Sequence, residues 1–232
     1  MSDESTEQET APTSKRACGL IVDFDFALID GISALEKACA KVLEGAGAKT
    51  DKGTFPRHFF GHKVNTALRT LLGAEAKTEA CIASIASDMD HAAEKAPVDE
   101  AILAVCKRTL EANAHVIFVT MRTQSVVEAR VAALGLEGAV VLKCDRCDRF
   151  GEYPADIWSR AARTLKLNAR FCTAIVASAA SVRHAVMAGM RTAAFTNPAI
   201  GFQDFSGVDF TAGTVPASDT VDAVMALINS RA

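Results

Sequence analysis

Residues 19–25, GLIVDFD, form a short apolar run that ends in two acids, Asp23 and Asp25. The run is too short for a helix, and its apolar residues occupy consecutive positions, so both of its faces are expected to be buried. Continuous runs of this kind are typical of central strands in parallel sheets, which helices cover on both faces. The sequence therefore predicts a central parallel strand with two carboxyl groups at its carboxyl end.

Strand and helix patterns alternate along the chain after Pro97. Predicted strands occupy residues 115–120, 139–142, 172–177, 191–195 and 208–210, and predicted helices occupy 101–112, 126–136, 155–165, 182–188 and 220–228. Such alternation predicts an α/β fold with a doubly wound parallel sheet and helices on both faces. Ligands of such sheets bind at the carboxyl ends of the strands.

Residues 31–96, in contrast, contain only helical patterns. Apolar residues recur at spacings of three and four in 32–43, 64–72 and 81–89, and glycines or Pro97 end these segments. We therefore predict a helical cap at 31–96, inserted into an α/β core that comprises 17–30 and 97–232. Residues 1–16 are polar and acidic, which predicts a disordered tail.

The composition argues against several classes of function. The chain has 232 residues, of which 50% are apolar, and its net charge is -3. This balance excludes wholesale disorder and provides no general attraction to nucleic acid or to an anionic membrane. No apolar run approaches the ~18–20 residues of a membrane span, and the N-terminus lacks the apolar segment of a secretory signal. We expect a cytoplasmic protein without nucleic-acid or membrane partners; the pattern gives no indication of its oligomeric state.

Cys144 and Cys147 form an isolated Cys-x-x-Cys pair among seven cysteines that lie mostly in apolar segments. A structural zinc site usually needs two further ligands at similar spacing, and none is evident. The five histidines form neither an HxH nor an HExxH pattern. The pattern thus favours reduced thiols without a metal or redox role.

Residues 20–30, LIVDFDFALID, resemble the first motif of the haloacid dehalogenase (HAD) superfamily, an apolar strand followed by DxDGT(L)xD. Residues 118–122 and the Leu-Gly-Leu at 134–136 resemble its second motif, in which a strand ends in Thr or Ser. The Ala-Gly-Met at 188–190 resembles the segment after the fourth motif. Residues 59–73 resemble the helical cap of the phosphoglycolate phosphatase and β-phosphoglucomutase branch. The resemblance covers about residues 18–230.

This resemblance implies hydrolysis of a small phosphorylated molecule. It implies that Asp23 is the nucleophile that forms an aspartyl-phosphate, and that Asp25 is the general acid and base. It assigns Thr120 and the backbone at Met121 to the transferring phosphoryl group. It also implies a Mg²⁺ ion held by Asp23 and by Asp25 through its carbonyl, in keeping with the preference of this cation for oxygen ligands.

Basic residues near these motifs have open assignments. Arg122 lies either at the phosphate site or on a helix surface. His62 and Lys63 follow Gly61 in the cap segment that faces the active site in the similar branch, so they either contact substrate or begin a solvated helix. Lys143 and Arg149 are candidates for phosphate binding because the expected motif-three Lys is missing.

The sequence departs from the family pattern at three places. Alignment on residues 156–157 puts Glu152 at the position of the usual motif-three Lys. Val176 and Ala177 stand where the fourth motif supplies acids that hold the metal, and Phe26-Ala27 replaces Gly-Thr. Weak or absent Mg²⁺ binding is therefore expected. Two hypotheses remain open: a phosphohydrolase with weak or altered activity, and an inactive relative that binds a ligand or a partner.

Overall fold

The computed structural model describes residues 17–212 and 216–230, so the predicted tail at 1–16 lies outside the described residues. Six parallel strands form one sheet with the order β3-β2-β1-β4-β5-β6. The predicted doubly wound parallel sheet is confirmed, with β1 beside β2 and β4 at its centre. The strands are β1 (Gly19–Asp23), β2 (His115–Thr120), β3 (Val140–Lys143), β4 (Cys172–Val176), β5 (Arg191–Phe195) and β6 (Phe210–Ala212).

Helices connect these strands, and five of them lie between β1 and β2, of which the first four belong to the inserted stretch. These four are α1 (Gly31–Gly45), α2 (Thr54–His58), α3 (Val64–Leu72) and α4 (Thr78–Lys95). The later helices are α5 (Glu100–Glu111), α6 (Gln124–Ala133), α7 (Ile157–Thr164), α8 (Ala179–Met187) and α9 (Ala217–Asn229). The element boundaries differ from the predicted ones by about three residues or fewer, except that α4 continues to Lys95 and not only to residue 89. The short helix α2 is the one element of 31–96 that the periodicity missed.

The first strand ends earlier than its apolar pattern indicates. All five residues of β1 are buried, as predicted, but residues Phe24–Leu28 form a single π-helical turn. The Asp23 carboxylate caps this turn by accepting a hydrogen bond of 3.0 Å from the backbone N–H of Phe26. Asp25 therefore lies on the turn and not on the strand, so the prediction that both acids share one strand was wrong.

The chain leaves the sheet side of the molecule before α1 and returns to it after α4 at one place. Ile29 and Val98 form an isolated antiparallel bridge, and the N–H of Asp99 donates to the carbonyl of Leu28 at 2.8 Å. Within the insertion, α1 packs against α4. The division into a core and a cap with boundaries at 30/31 and 96/97 stays a prediction.

Two contacts tie the insertion to the sheet side of the molecule. Asp90 on α4 accepts hydrogen bonds from the Thr123 hydroxyl at 2.6 Å and from the Thr123 backbone N–H at 3.1 Å, just before α6. The loop after β3 forms isolated bridges with the segment before α3, at Lys63 with Arg149 and at Phe60 with Phe150. Among the described residues, no helix combines the length and the apolar character needed to cross a membrane.

Candidate functional site

The Asp25 carboxylate fills an anion-binding position at the carboxyl end of β2. Its Oδ1 accepts a 2.6 Å hydrogen bond from the Thr120 hydroxyl, and its Oδ2 accepts a 2.7 Å hydrogen bond from the Met121 backbone N–H. The Arg122 Nε lies 3.6 Å from the same Oδ2, which is an ion-pair distance and not a hydrogen bond. Asp25 is 0% exposed. Both of its oxygens are therefore held by donors that suit any small anion.

Sheet register explains why these donors meet the turn after β1. Val22 pairs with Phe118, so Thr120 lies at the same edge of the sheet as Asp23. The Thr120 hydroxyl oxygen also accepts a 2.9 Å hydrogen bond from the Arg122 N–H. Because the hydroxyl oxygen accepts this hydrogen bond through a lone pair, the hydroxyl proton remains available, and Thr120 donates it to Asp25. The predicted meeting of Asp23, Asp25 and Thr120 at one edge is what the structure shows.

Asp23 is buried beside Asp25 and has a different set of partners. Its Oδ1 accepts hydrogen bonds from the Phe26 N–H at 3.0 Å and from the Tyr153 hydroxyl at 3.2 Å. Its Oδ2 is buried and has no hydrogen-bond partner within the described residues. Burial, and then the charge of Asp25, raise the pKa of Asp23 well above its ordinary value of 3.8. This carboxyl group is thus disposed to hold a proton.

Tyr153 is the functional neighbour that sequence analysis missed. Its hydroxyl lies 3.0 Å from the Val119 carbonyl as well as 3.2 Å from Asp23 Oδ1. Burial, and then the charge of Asp23, raise the pKa of this hydroxyl well above its ordinary range. Tyr153 therefore faces Asp23 as a neutral donor, where the alignment placed Glu152 and where the family pattern has a Lys. It is the only tyrosine in the chain, and this was the one available signal.

Glu152 does not face Asp23, which corrects the alignment made on residues 156–157. Its carboxylate lies next to Gly61, and a Cβ on that glycine would lie 3.1 Å from Glu152 Oε1. Burial raises the pKa of Glu152, while Arg149, Arg183 and His62 oppose that shift. The alternation of side chains in an extended segment explains the error, because a shift of one residue turns the other face towards the site.

The other predicted basic residues lie around the site and not in it. Lys143 ends β3 in register with Thr120, and in the part of the chain that is described it forms no salt bridge with Asp23 or Asp25. The Arg149 guanidinium donates to the Gly61 carbonyl at 2.6 Å. His62 and Lys63 have exposed side chains in the segment that meets the Arg149 loop.

The end of β4 is apolar and does not fit a magnesium ion. Val176 and Ala177 are both 0% exposed, and the Ser178 hydroxyl caps α8 by accepting a 3.2 Å hydrogen bond from the Ser181 N–H. Asp23 Oδ2 is free to act as a ligand atom, and because both carboxylate oxygens of Asp25 are occupied by hydrogen bonds, Asp25 could contribute only its carbonyl, as the resemblance implies. No group of three or more His, Cys, Asp or Glu residues suited to a metal occurs within 17–212 and 216–230.

A cleft of about 170 Å³ opens between the insertion and the sheet beside this site. Arg122 and Met121 line it from the sheet side, and Ile85 and Met89 line it from α4. Cys147 and Arg149 contribute a third wall. Neither this cleft nor a larger one of about 490 Å³ beside Asp30 and Asn197 is lined by Asp23, Asp25 or Thr120 in the described part of the chain.

Solved structures with the same fold are hydrolases and mutases of the HAD type. CbbY from Rhodobacter sphaeroides, in complex with phosphate, matches with a TM-score of 0.67 and 16% identity over 84% of this chain and 93% of that one. β-Phosphoglucomutase from Clostridium difficile matches with a TM-score of 0.67 and 14% identity over 93% of this chain and 98% of that one. A haloacid dehalogenase-like hydrolase from Streptococcus pneumoniae matches with a TM-score of 0.64 and 14% identity over 90% and 98%.

These matches confirm the fold that the motifs predicted, a HAD-like α/β sheet with helices inserted after the first strand. No family model matches the sequence, and no curated protein matches it. At identities of 14–16% the structural likeness concerns the fold. What the site does must be argued from its own residues.

Proposed function

We propose that this protein binds a small phosphorylated molecule at Thr120, Met121 and Arg122 and hydrolyses its phosphate ester slowly through Asp23. The observation that supports the proposal is the anion site around the Asp25 carboxylate. There a hydroxyl at 2.6 Å, a backbone N–H at 2.7 Å and a guanidinium at 3.6 Å converge on one negative group. CbbY, which has a similar fold, was solved in complex with phosphate, and this gives the proposal further support.

The Asp25 carboxylate and a phosphoryl group would compete for these donors. A phosphoryl oxygen accepts the same hydrogen bonds as a carboxylate, so an incoming phosphate ester can displace the Asp25 side chain from Thr120 and Met121. Arg122 supplies the positive charge for either anion, since its Nε is buried and has no hydrogen-bond partner in the described part of the chain. The displaced Asp25 side chain would then lie near the ester oxygen.

The chemical step is a displacement at phosphorus by Asp23 Oδ2. Asp23 first passes its proton to the displaced Asp25 carboxylate; the new oxygen–phosphorus bond then forms as the ester bond breaks, and Asp25 gives that proton to the departing oxygen. Water then cleaves the aspartyl-phosphate, with Asp25 taking a proton from that water. The step is slow because Asp23 must first lose its proton in a buried site, and because neutral Tyr153 provides no charge against the phosphate.

The second candidate is a protein that binds the phosphorylated molecule without hydrolysing it. Two observations favour it: the pairing of buried Asp23 with Tyr153, and the apolar end of β4. It shares the anion site with the first candidate and differs only in the reactivity of Asp23.

One experiment separates the two candidates. The protein is incubated with excess p-nitrophenyl phosphate and quenched in acid, and its intact mass is measured by mass spectrometry. Asp23→Asn and the exposed control Asp219→Asn are treated in the same way. We expect a phosphoryl adduct and slow release of nitrophenol for the wild type and for Asp219→Asn, and neither for Asp23→Asn. Inorganic phosphate binding is measured in parallel by calorimetry, with Thr120→Val expected to weaken it.

The combined results assign the function. Phosphate binding that Thr120→Val weakens, without any adduct or nitrophenol, would identify the non-catalytic binding protein. No detectable phosphate binding by the wild type would contradict both candidates.

A further inference from the structure

The Cys144–Cys147 pair is held with its sulfur atoms close together. The two Sγ atoms lie 3.0 Å apart, within hydrogen-bonding distance for sulfur. Cys144 directly follows β3, and its backbone N–H donates to the Thr120 carbonyl at 2.7 Å. The strand pairing that places Thr120 against Asp25 therefore also fixes the first cysteine of the pair.

The two thiols differ in access. Cys144 is only 4% exposed, whereas Cys147 is partly exposed and lines the cleft with Arg122 and Met121. One sulfur can thus meet a molecule in the cleft, and the other lies directly behind it. This is the arrangement that thiol–disulfide exchange requires, with an attacking thiol at the surface and a resolving thiol within reach.

The surroundings of the pair favour a thiolate, unlike those of the other buried cysteines. The hydrogen bond from Cys147, assisted by the Arg146 N–H and the charge of Arg160, lowers the pKa of Cys144 to about 7. The same hydrogen bond and burial raise the pKa of Cys147, so the shared proton stays on the outer sulfur. Burial instead raises the pKa of the Cys172 thiol to about 12. Burial also raises the pKa values of Cys39 and Cys106.

We propose that Cys144 and Cys147 form a redox-active dithiol that reacts with a low-molecular-weight disulfide entering the cleft. This role differs from the metal-free, redox-inactive thiols that the sequence favoured, and it does not depend on the phosphate chemistry proposed above. The substrate class is a small symmetrical disulfide, written RSSR.

The reaction balances in two steps. Cys147 passes its proton to Cys144 and attacks one sulfur of RSSR, which breaks the external S–S bond and releases RS⁻. Cys144 then loses that proton to the released RS⁻ and attacks Cys147 Sγ, which expels the second RS⁻ and closes the internal disulfide. The second RS⁻ takes a proton from water, which balances the proton that Cys144 lost to solvent when it became a thiolate. Two electrons pass from the dithiol to RSSR, and the sulfurs move from 3.0 Å apart to a bond of about 2.05 Å.

Closure of the disulfide would also act on the contact between the insertion and the sheet. The loop that carries the pair accepts a 2.9 Å hydrogen bond from the Val64 N–H at the Asp148 carbonyl, and its Arg149 donates to Gly61. The oxidised loop is cross-linked between β3 and these contacts. We therefore expect the protein with the internal disulfide to resist proteolysis of this loop better than the reduced protein.

The test uses the full chain, reduced and freed of metal with a chelator, then mixed with oxidised glutathione. We expect the wild type to lose the mass of two hydrogen atoms as a monomer, with two fewer thiols open to alkylation. Cys144→Ser should instead trap one glutathione on Cys147, and Cys147→Ser should react at least ~10-fold more slowly because its remaining thiol is buried. The matched control is Cys81→Ser, which removes a partly exposed thiol on α4 and should react as the wild type does.

Intact mass under non-reducing conditions is the required readout. Residues 144–149 are CDRCDR, so tryptic fragments of the two cysteines have the same sequence and cannot be told apart. Retention of both thiols after oxidation, or loss of two hydrogens in Cys147→Ser, would overturn the proposal. So would zinc ion, added alone to the reduced protein, protecting both thiols while oxidised glutathione leaves them unchanged.

Discussion

The carboxyl ends of β1 and β2 differ sharply from the carboxyl end of β4, although β1 pairs with both β2 and β4. At the β1–β2 end, the buried Asp25 carboxylate accepts short hydrogen bonds from Thr120 and Met121 and lies at ion-pair distance from Arg122, with the buried carboxyl group of Asp23 beside it. At the β4 end, Val176 and Ala177 are fully buried and apolar. The two ends share one sheet and one register, so the fold does not determine which of them carries polar groups.

Under the proposed function, the two strand ends contribute differently to a phosphate site. The β1–β2 end provides hydrogen-bond donors for a phosphoryl group, whereas Val176 and Ala177 at the β4 end provide no acid for a metal. A buried charge costs free energy unless it is paired, so an apolar β4 end is the stable choice once no cation lies near Asp23. Tyr153 follows the same logic, because a neutral hydroxyl can pack against Asp23 without adding a second buried charge.

The largest change in the free energy of unfolding is expected when a carboxyl group is introduced at the β4 end, which then resembles the β1–β2 end. Ala177→Asp should lower the free energy of unfolding by roughly 3–5 kcal/mol near neutral pH, because it buries an unpaired carboxylate. Urea unfolding measures the loss, and Ala177→Asn separates the cost of charge from that of size. The difference between the two variants should shrink as pH falls and the new carboxyl group is protonated. Equal losses in both variants at neutral pH would show that the β4 end tolerates charge.

A smaller loss is expected from weakening the β1–β2 end. Thr120→Val removes the donor to Asp25 and the acceptor for the Arg122 N–H, so it leaves buried groups unpaired and should cost about 1–3 kcal/mol. Thr120→Ser keeps the hydroxyl and should retain most of that stability. Thermal and urea unfolding of the three proteins provide the measurement. Equal stability of the Val and Ser variants would mean that the hydroxyl does not support the network.

A still smaller loss of stability is expected when the hydroxyl of Ser178, which follows β4 and caps α8, is removed. Ser178→Ala removes the cap of α8 and should cost about 1 kcal/mol, whereas Ser178→Gly should cost only a few tenths because glycine suits a cap position. Neither change should alter the affinity for inorganic phosphate. Weaker phosphate binding by Ser178→Ala would place the β4 end in the ligand site.

The smallest effect near neutral pH concerns Asp23. Its folded pKa is raised, so the folded state holds a proton that the unfolded chain has lost; stability therefore falls as pH rises from the ordinary value of 3.8 towards the folded pKa. Asp23→Asn removes this pH dependence and should raise the free energy of unfolding near neutral pH. The increase should not exceed about 1 kcal/mol, because the new N–H donors of the amide lack partners. Unfolding midpoints across pH test it. A stability gap that widens in favour of the wild type as pH rises would contradict the raised pKa.

Sequence patterns predicted the parts of the site that secondary structure alone controls. The apolar run before Asp23 and the one before Thr120 determine two parallel strands, and parallel pairing brings their ends together. The assignment of Val176 and Ala177 to the positions of the family's metal-binding acids came instead from the resemblance at 188–190, and it stays a prediction.

The missed features depend on loops and on the turn after β1. The side of the 151–156 segment that faces Asp23 is set by tertiary packing, so Glu152 was placed where Tyr153 belongs. The π-helical turn that brings Asp25 to the Met121 N–H is a single turn, so it is too short to produce a recognisable sequence periodicity. The 3.0 Å approach of Cys144 and Cys147 likewise depends on the loop that follows β3, and spacing alone does not distinguish it from a pair of separate thiols.

The bridge between Ile29 and Val98 has a consequence for how the protein tolerates change. The chain enters and leaves the four-helix stretch at one point, so this stretch is a closed loop whose ends are already together. The entropy of closing such a loop grows only with the logarithm of its length, at about 0.6 kcal/mol per doubling. Insertions, deletions or a complete exchange of these helices should therefore change the free energy of pairing β1 with β2 very little. The fold can vary the part that covers the cleft at a nearly constant cost to the sheet beneath it.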